Sequence, residues 1–205
     1  MNPWTRVAIL VGGLFAWFLT QKWIASKAAS GNAEFGDRIH EWTASWNQKL
    51  NQNPRLANAL LITSSFGIDL ATGFLFYRAI FSENLRVLVS VLMLFTLRQA
   101  TQGLISLPLP RGLIWRHPGF PSLLVTYGVA NDLFFSGHTA LAVLAALELS
   151  MLGTPWAITI GLALVLFEAT TVLALRAHWT MDVLAGIFAA IMIHFAGLYF
   201  FTVIF

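Results

Sequence analysis

The chain has 205 residues, of which 58% are hydrophobic and only 10% charged, with a formal net charge of +3. A soluble domain carries about 25% charged residues, so this composition excludes an ordinary soluble protein and describes one embedded in a membrane. No Lys/Arg-rich run points to nucleic acid, the mild basic excess suits an anionic lipid surface, and the absence of cysteine excludes disulfides and thiolate metal sites.

A helix that crosses hydrocarbon needs about 20 mostly apolar residues. Six stretches qualify, over about 5–24, 56–80, 85–106, 138–153, 155–175 and 181–204. The expected fold is therefore all-α: a polytopic bundle of six transmembrane helices forming one domain over residues 1–205. The first stretch could instead be a signal peptide, because Arg6 precedes it and Ala28-Ala29 could follow a cleavage site. Five remaining spans would make an odd bundle, and the retained helix is the simpler reading.

Between the first two spans lies NAEFGDRIHEWTASWNQKL, residues 32–50. Phe35, Ile39, Trp42, Trp46 and Leu50 recur at steps of four, three, four and four, the pattern of one helical face. Asp37, Arg38, Glu41, Asn47 and Lys49 occupy the other. The expectation is an amphipathic helix lying in the interface, with packing on the bundle's own loops as the alternative. Between spans three and four, SLPLPRGLIWRHPGFP holds Pro108, Pro110, Pro118 and Pro121. Proline fixes φ and removes a donor, so this is a stiff loop. It carries Arg111, Arg116 and His117.

Two polar stretches stand at the mouths of apolar helices. In RAHWTMDVLAG, residues 176–186, His178 and Asp182 are four apart and share a helical face. The carboxylate can accept one imidazole proton, fixing the tautomer and freeing the other nitrogen as nucleophile or base. A helix cap produces the same spacing. In NDLFFSGHTALAV, residues 131–143, Ser136, Gly137 and His138 come just before span four. A helix N-terminus there offers unpaired N–H groups to a phosphate, Gly137 allows close approach, Ser136 can donate a hydrogen bond and His138 a proton. An ordinary serine cap is the plainer reading of this stretch alone. Counting loops puts both stretches on the same side of the membrane, and that co-location joins them into one candidate site.

FSGHT followed about 40 residues later by HWTMDVLAG resembles the sphingomyelin synthase branch of the lipid phosphate phosphatase superfamily. Asp132, six residues before His138, matches the acid of that branch's G-D-[YF]-x-x-S-G-H stretch, and LRQATQGLISLPLP resembles its arginine-then-SLP-x-P segment. The likeness covers roughly residues 97–190. Phe135 stands where the phosphatases proper carry proline, their K-x6-R-P motif is missing, Val172 replaces their arginine, and Trp179 replaces the usual tyrosine.

The resemblance implies a phospholipid headgroup phosphotransferase working through a phosphohistidine. His178, oriented by Asp182, would attack phosphorus, and His138 would protonate the departing oxygen. Asp132 would serve as a second acid or base. Ser136, Gly137, Arg176 and Arg98 would bind phosphate or substrate; Glu168 is a candidate to support the site on separate grounds, as an acid at membrane depth. The donor is a membrane phospholipid; the acceptor is a lipid alcohol of the ceramide or diacylglycerol type, or water. With water, the protein is a lipid phosphatase or a phospholipase C-like phosphodiesterase. A lipid transporter or scaffold is the reading from another class. No cofactor is called for, a zinc site lacks three evidently convergent ligands, and a homo-oligomer stays open.

Asp69 and Glu168 lie at membrane depth, protonated or paired with Arg98. His194 reads as a packed core residue, and His40 and His117 as interfacial residues without a role. The resemblance implies a bacterial inner membrane with the site facing outward. The basic residues argue the other way: nine (Lys22, Lys27, Arg38, Lys49, Arg55, Arg98, Arg111, Arg116, Arg176) fall on the site side and three (Arg6, Arg78, Arg86) opposite.

Overall fold

A computed structural model describes residues 1–26, 35–127 and 133–201. Among them are eight helices: α1 (Pro3–Ala25), α2 (Arg38–Trp42), α3 (Ala44–Gln52), α4 (Pro54–Phe81), α5 (Arg86–Leu104), α6 (Gly137–Ser150), α7 (Pro155–Ala174) and α8 (Thr180–Tyr199). Their starts follow from local chemistry. Asn2 caps α1 through Thr5 N–H at 2.8 Å with Pro3 opening the first turn, and Asn53 with Pro54 does the same for α4. Proline suits a first turn because its missing N–H would be unpaired there anyway.

Five of these helices, α1, α4, α5, α7 and α8, are long and apolar enough to cross a membrane. The fourth expected span departs from the forecast. It forms a helix of 14 residues ending at Ser150, not at 153, and at 1.5 Å per residue it reaches about 21 Å against about 30 Å of hydrocarbon. Its shortness reflects its place: nine of its fourteen residues are buried, and it runs down the middle of the bundle against α4, α7 and α8. Small residues make that possible. A Cβ added at Gly161 of α7 would stand 2.9 Å from both Cα and Cβ of Ala146.

The segment after the first span also differs from a single amphipathic helix. It breaks at Thr43 into α2 and α3. Phe35, Trp42 and Trp46 are exposed, while Leu50 is buried. The inward face is largely polar: Asn47 donates to the carbonyls of Gly112 (3.0 Å) and Ala174 (2.9 Å), and His40 is buried. Packing on the bundle's own loops is thus present. The polar side satisfies loop carbonyls of the bundle, and the aromatic side is left outward, as rings that anchor at an interface are.

Helices α1 and α5 run from one end of the bundle to the other in the same direction. The far end is closed by arginines turned inward. Arg6 donates to the carbonyls of Ser82 (2.5 Å), Glu83 (3.2 Å) and Asn84 (3.2 Å) beyond α4. Arg86 reaches Glu148 with both terminal nitrogens, one at 2.7 Å. His194 is not merely packed: its Nδ1 lies 3.1 Å from Glu148 Oε1. At the site end, Arg38, Lys49, Arg55, Arg111 and Arg116 are exposed.

The α6–α7 contact generates a direct test. Overpacking a tight interface costs about 1–3 kcal/mol, so Gly161→Val should lower the Tm of the protein in detergent. Gly12→Ala, whose Cβ would meet nothing within 4 Å, should leave it unchanged or slightly raised; equal Tm values for the two variants would contradict the packing described.

Candidate active site

The two polar stretches meet because α8 begins against the start of α6. Ser136 N–H donates to the Asp182 carbonyl at 3.0 Å, and Gly186 lets the chains close up: a Cβ there would lie 2.7 Å from Ser136 O. Ser136 is fully buried and serves as the N-cap of α6, its hydroxyl 3.0 Å from that of Thr139. The serine expected on phosphate is therefore engaged at the helix start and does not line the cavity beside it.

His138 and His178 both line that cavity, together with Arg98, Gly137 and Trp115. The His178 Nδ1–Asp182 Oδ2 distance is 3.7 Å, across a buried pair. At that distance the two groups face each other without a hydrogen bond. Asp182 has a second task, since Oδ2 accepts Trp179 N–H at 2.9 Å. The carboxylate that caps α8 is thus the one that faces His178. Among the described residues, His138 Nε2, His178 Nδ1 and Asp182 Oδ1 are buried without a hydrogen-bond partner. A cluster of such atoms in one place is unusual, because burying an unpaired polar group costs about 1–3 kcal/mol.

Arg98, from the last turns of α5, donates through Nε to Phe135 O (3.3 Å) and through one terminal nitrogen to Gln102 (3.3 Å). It lies so close to the start of α6 that a Cβ on Gly137 would meet Arg98 Nε at 2.7 Å. Gly137 is required by this approach, and a cation stands at the positive end of a helix dipole. An anion placed between a cation and a helix N-terminus is attracted by both.

Other expected residues go elsewhere. Arg176, with φ 57°, donates to His40 O at 2.6 Å and is not among the residues lining the cavity. Glu168 is fully buried and accepts from Ser64 Oγ at 2.6 Å, joining α7 to α4 away from the histidines. Asp69 binds the stiff loop, accepting from Ser122 Oγ (3.2 Å) and Leu123 N–H (3.0 Å). Asp132 lies outside the described residues. Among the described residues no three His, Asp or Glu side chains gather as a metal site.

Some neighbours of the site were given no role by the sequence. Trp115 of the stiff loop meets the His138 ring edge-on, centroids 5.2 Å apart, and no spacing rule could have paired them. His40 was legible in principle, three residues after Asp37 on the polar stripe. Its Nε2 lies 3.0 Å from the His178 carbonyl, and its ring stacks on Trp179 at 5.3 Å. Asp37 accepts from Thr180 N–H and Oγ1, both at 2.7 Å, fastening α2 to the start of α8.

Burial works to raise the Asp37 carboxyl, but hydrogen bonds from Thr180 and His40 outweigh it and hold it below the ordinary 3.8. Burial pushes the His40 imidazole below its ordinary 6.5, although Asp37 and Asp182 pull the other way and Arg176 adds to the push.

The class defined by fold and cavity is a polytopic, all-helical membrane protein with two buried histidines and a carboxylate at one end of its bundle. More narrowly, the chain belongs to the AtPDCT1/2 family, whose model matches residues 37–198. Over 150 residues, 73% of this chain, it is 26% identical to phosphatidylcholine:diacylglycerol cholinephosphotransferase 1 of Arabidopsis thaliana. The match covers 48% of that relative, so the chain spans about half the length of the curated relative it matches. No solved structure matches the chain.

The shift of His40 sets a pH dependence. A folded pKa below 6.5 means the unfolded chain binds the proton more readily. The contribution of His40 is whole above pH 6.5 and is lost as pH falls through 6.5 toward the lower folded value. Asp37 adds a loss only below 3.8. Thermal stability in detergent should fall as pH is lowered through 6.5, and His40→Gln, which keeps a donor for the His178 carbonyl, should flatten that fall. A His40→Gln profile parallel to the wild type would contradict the assignment.

Proposed function

We propose that the chain is a phospholipid headgroup transferase that passes phosphocholine between phosphatidylcholine and diacylglycerol. The observation that carries this reading is the convergence of His138, His178 and Arg98 on one cavity, with Asp182 behind His178. The name of the Arabidopsis relative and the motif likeness to sphingomyelin synthases support the same reaction class and supply the donor and acceptor.

With Nδ1 turned to Asp182, His178 attacks phosphorus through Nε2. An N–P bond forms as the P–O bond to the glycerol backbone breaks, and His138 gives that oxygen its proton. In the second half, His138 takes the proton from an acceptor diacylglycerol hydroxyl, whose oxygen attacks phosphorus as the N–P bond breaks. Leaving group and acceptor belong to the same chemical class, so one histidine serves both halves in reverse order. Arg98 and the N–H groups of the α6 start meet the phosphoryl oxygens, where charge builds in the transition state. Arg176 acts indirectly, holding His40 against the back of His178.

The exposed basic residues gather at the site end, whereas Arg6 and Arg86 are buried at the other. The positive-inside regularity therefore favours a cytoplasmic site over the outward one that the motif likeness implies.

The test uses purified protein, phosphatidylcholine labelled in its choline phosphate, and a diacylglycerol with acyl chains distinguishable by mass. Label should appear in phosphatidylcholine carrying the acceptor's chains. His178→Ala should abolish transfer, and His138→Ala should slow it about 10²- to 10⁴-fold. Label released only as water-soluble phosphocholine would make the protein a phosphodiesterase; unchanged chemistry in His178→Ala would remove the site altogether.

A further inference from the structure

A second concavity lies on the outside of the bundle, between α1 and α5, and it shares Trp17 and Phe95 with the histidine cavity. The two helices run side by side, bridged by Gln99 Nε2–H donating to Gln21 Oε1 at 3.1 Å, and approach closely at two glycine levels. At one, a Cβ on Gly13 would come within 2.8 Å of Leu92 Cδ2; at the other, a Cβ on Gly103 would come within 3.3 Å of the Trp23 ring. Between those closures the facing residues are small: Ala16 and Thr20 on α1, Thr96 and Ala100 on α5. All four are exposed. The helices gape there, and the floor of the gap is the Trp17–Phe95 pair, centroids 6.3 Å apart.

The closures at Gly13 and Trp23 are ten residues apart on α1, about 15 Å along the axis. That is about half of the roughly 30 Å of hydrocarbon in a bilayer, so the groove occupies one leaflet, the one that holds the histidines. We propose that it seats an acyl chain of the glycerolipid whose headgroup enters the His138–His178 cavity, with Trp17 and Phe95 as the wall between chain and headgroup. This rests on the transferase reading for the identity of the lipid. A second copy of the chain is the other occupant that a small-residue stripe invites. A spanning helix would need the stripe to continue through both leaflets, whereas Leu92 closes it at mid-depth. Trp23, 56% exposed, also stands in a helix's way at the other end. One wall is built from α1, which lies outside the region matched by the family model.

Ala100 and Ala16 are exposed and line the groove, so filling it leaves the core untouched. The experiment has two readouts. In detergent micelles, His178→Ala protein is photolabelled with a phosphatidylcholine bearing a diazirine on its acyl chain, and the labelled peptides are mapped. Labels should fall on α1 residues 13–23 and α5 residues 92–104, should be displaced by excess long-chain phosphatidylcholine, and should drop several-fold when Ala100→Trp or Ala16→Leu is added. In the active protein, the same substitutions should lower kcat/KM for a long-chain donor at least tenfold and change that for a dihexanoyl donor by less than twofold.

Labelling that is not displaced and is indifferent to both substitutions would overturn the proposal. So would an equal loss on long and short donors, or a change in oligomeric state on filling the groove, which would give it to a second copy. Specific labelling in a protein that proves unable to transfer headgroups would uphold the groove and remove the transferase reading instead.

Discussion

The site end of this molecule depends on one backbone contact, the Ser136 N–H on the Asp182 carbonyl. It joins the first turn of α6 to the first turn of α8 and is possible because Gly186 has no side chain to keep Ser136 O away. Around it the other features are ordered. Asp182 caps α8 with one oxygen and faces His178 with the same side chain. Gly137 admits Arg98 to the start of α6. Asp37 and His40, brought from the other side of the chain by α2, fasten the Thr180 turn and the His178 backbone. A polar site inside a lipid-embedded bundle needs this density of bonds, because hydrocarbon offers no water to satisfy what the protein leaves unpaired. Three of the buried polar atoms left without a hydrogen-bond partner among the described residues, His138 Nε2, His178 Nδ1 and Asp182 Oδ1, belong to this one cluster.

The short central helix gives the site its depth. If the end of α6 at Ser150 lies at the far interface, its length of about 21 Å leaves His138 about 9 Å below the other edge of the hydrocarbon. The loop from 105 to 127 and the pair α2–α3 then form a roof over the histidines, with Asp69 pinning the loop inside the bundle and Trp179 Nε1 donating to Pro108 O at 2.8 Å. A cavity roofed in this way is reached most directly from the side, which suits the membrane lipid proposed as its substrate.

How much of this was legible in the sequence follows from what each residue answers to. Spanning helices answer to the solvent, so their number and order could be read from hydropathy, with α6 misjudged because burial in the bundle's centre and burial in lipid look alike in a list of apolar residues. Ser136-Gly137-His138 and His178–Asp182 were legible because helix starts and four-residue spacings are local. What connects distant segments left no trace. Arg176 was expected on phosphate and went to His40 O; Trp115 met His138 from a loop; and Glu148 was passed over, although it binds Arg86 and His194 in the most heavily charged contact at the far end. The break at Thr43 was hidden by a face of aromatic residues that runs through it unbroken.

The central claim is that His178 carries the headgroup between donor and acceptor. The most direct measurement is to incubate the purified protein with phosphatidylcholine and no acceptor, stop the reaction under alkaline conditions that preserve phosphohistidine, and map the adduct by mass spectrometry. The account predicts a phosphocholine group on His178, absent from His178→Ala and discharged when diacylglycerol is added. Turnover with no adduct on any histidine, or an adduct on His138 that survives in His178→Ala, would contradict it.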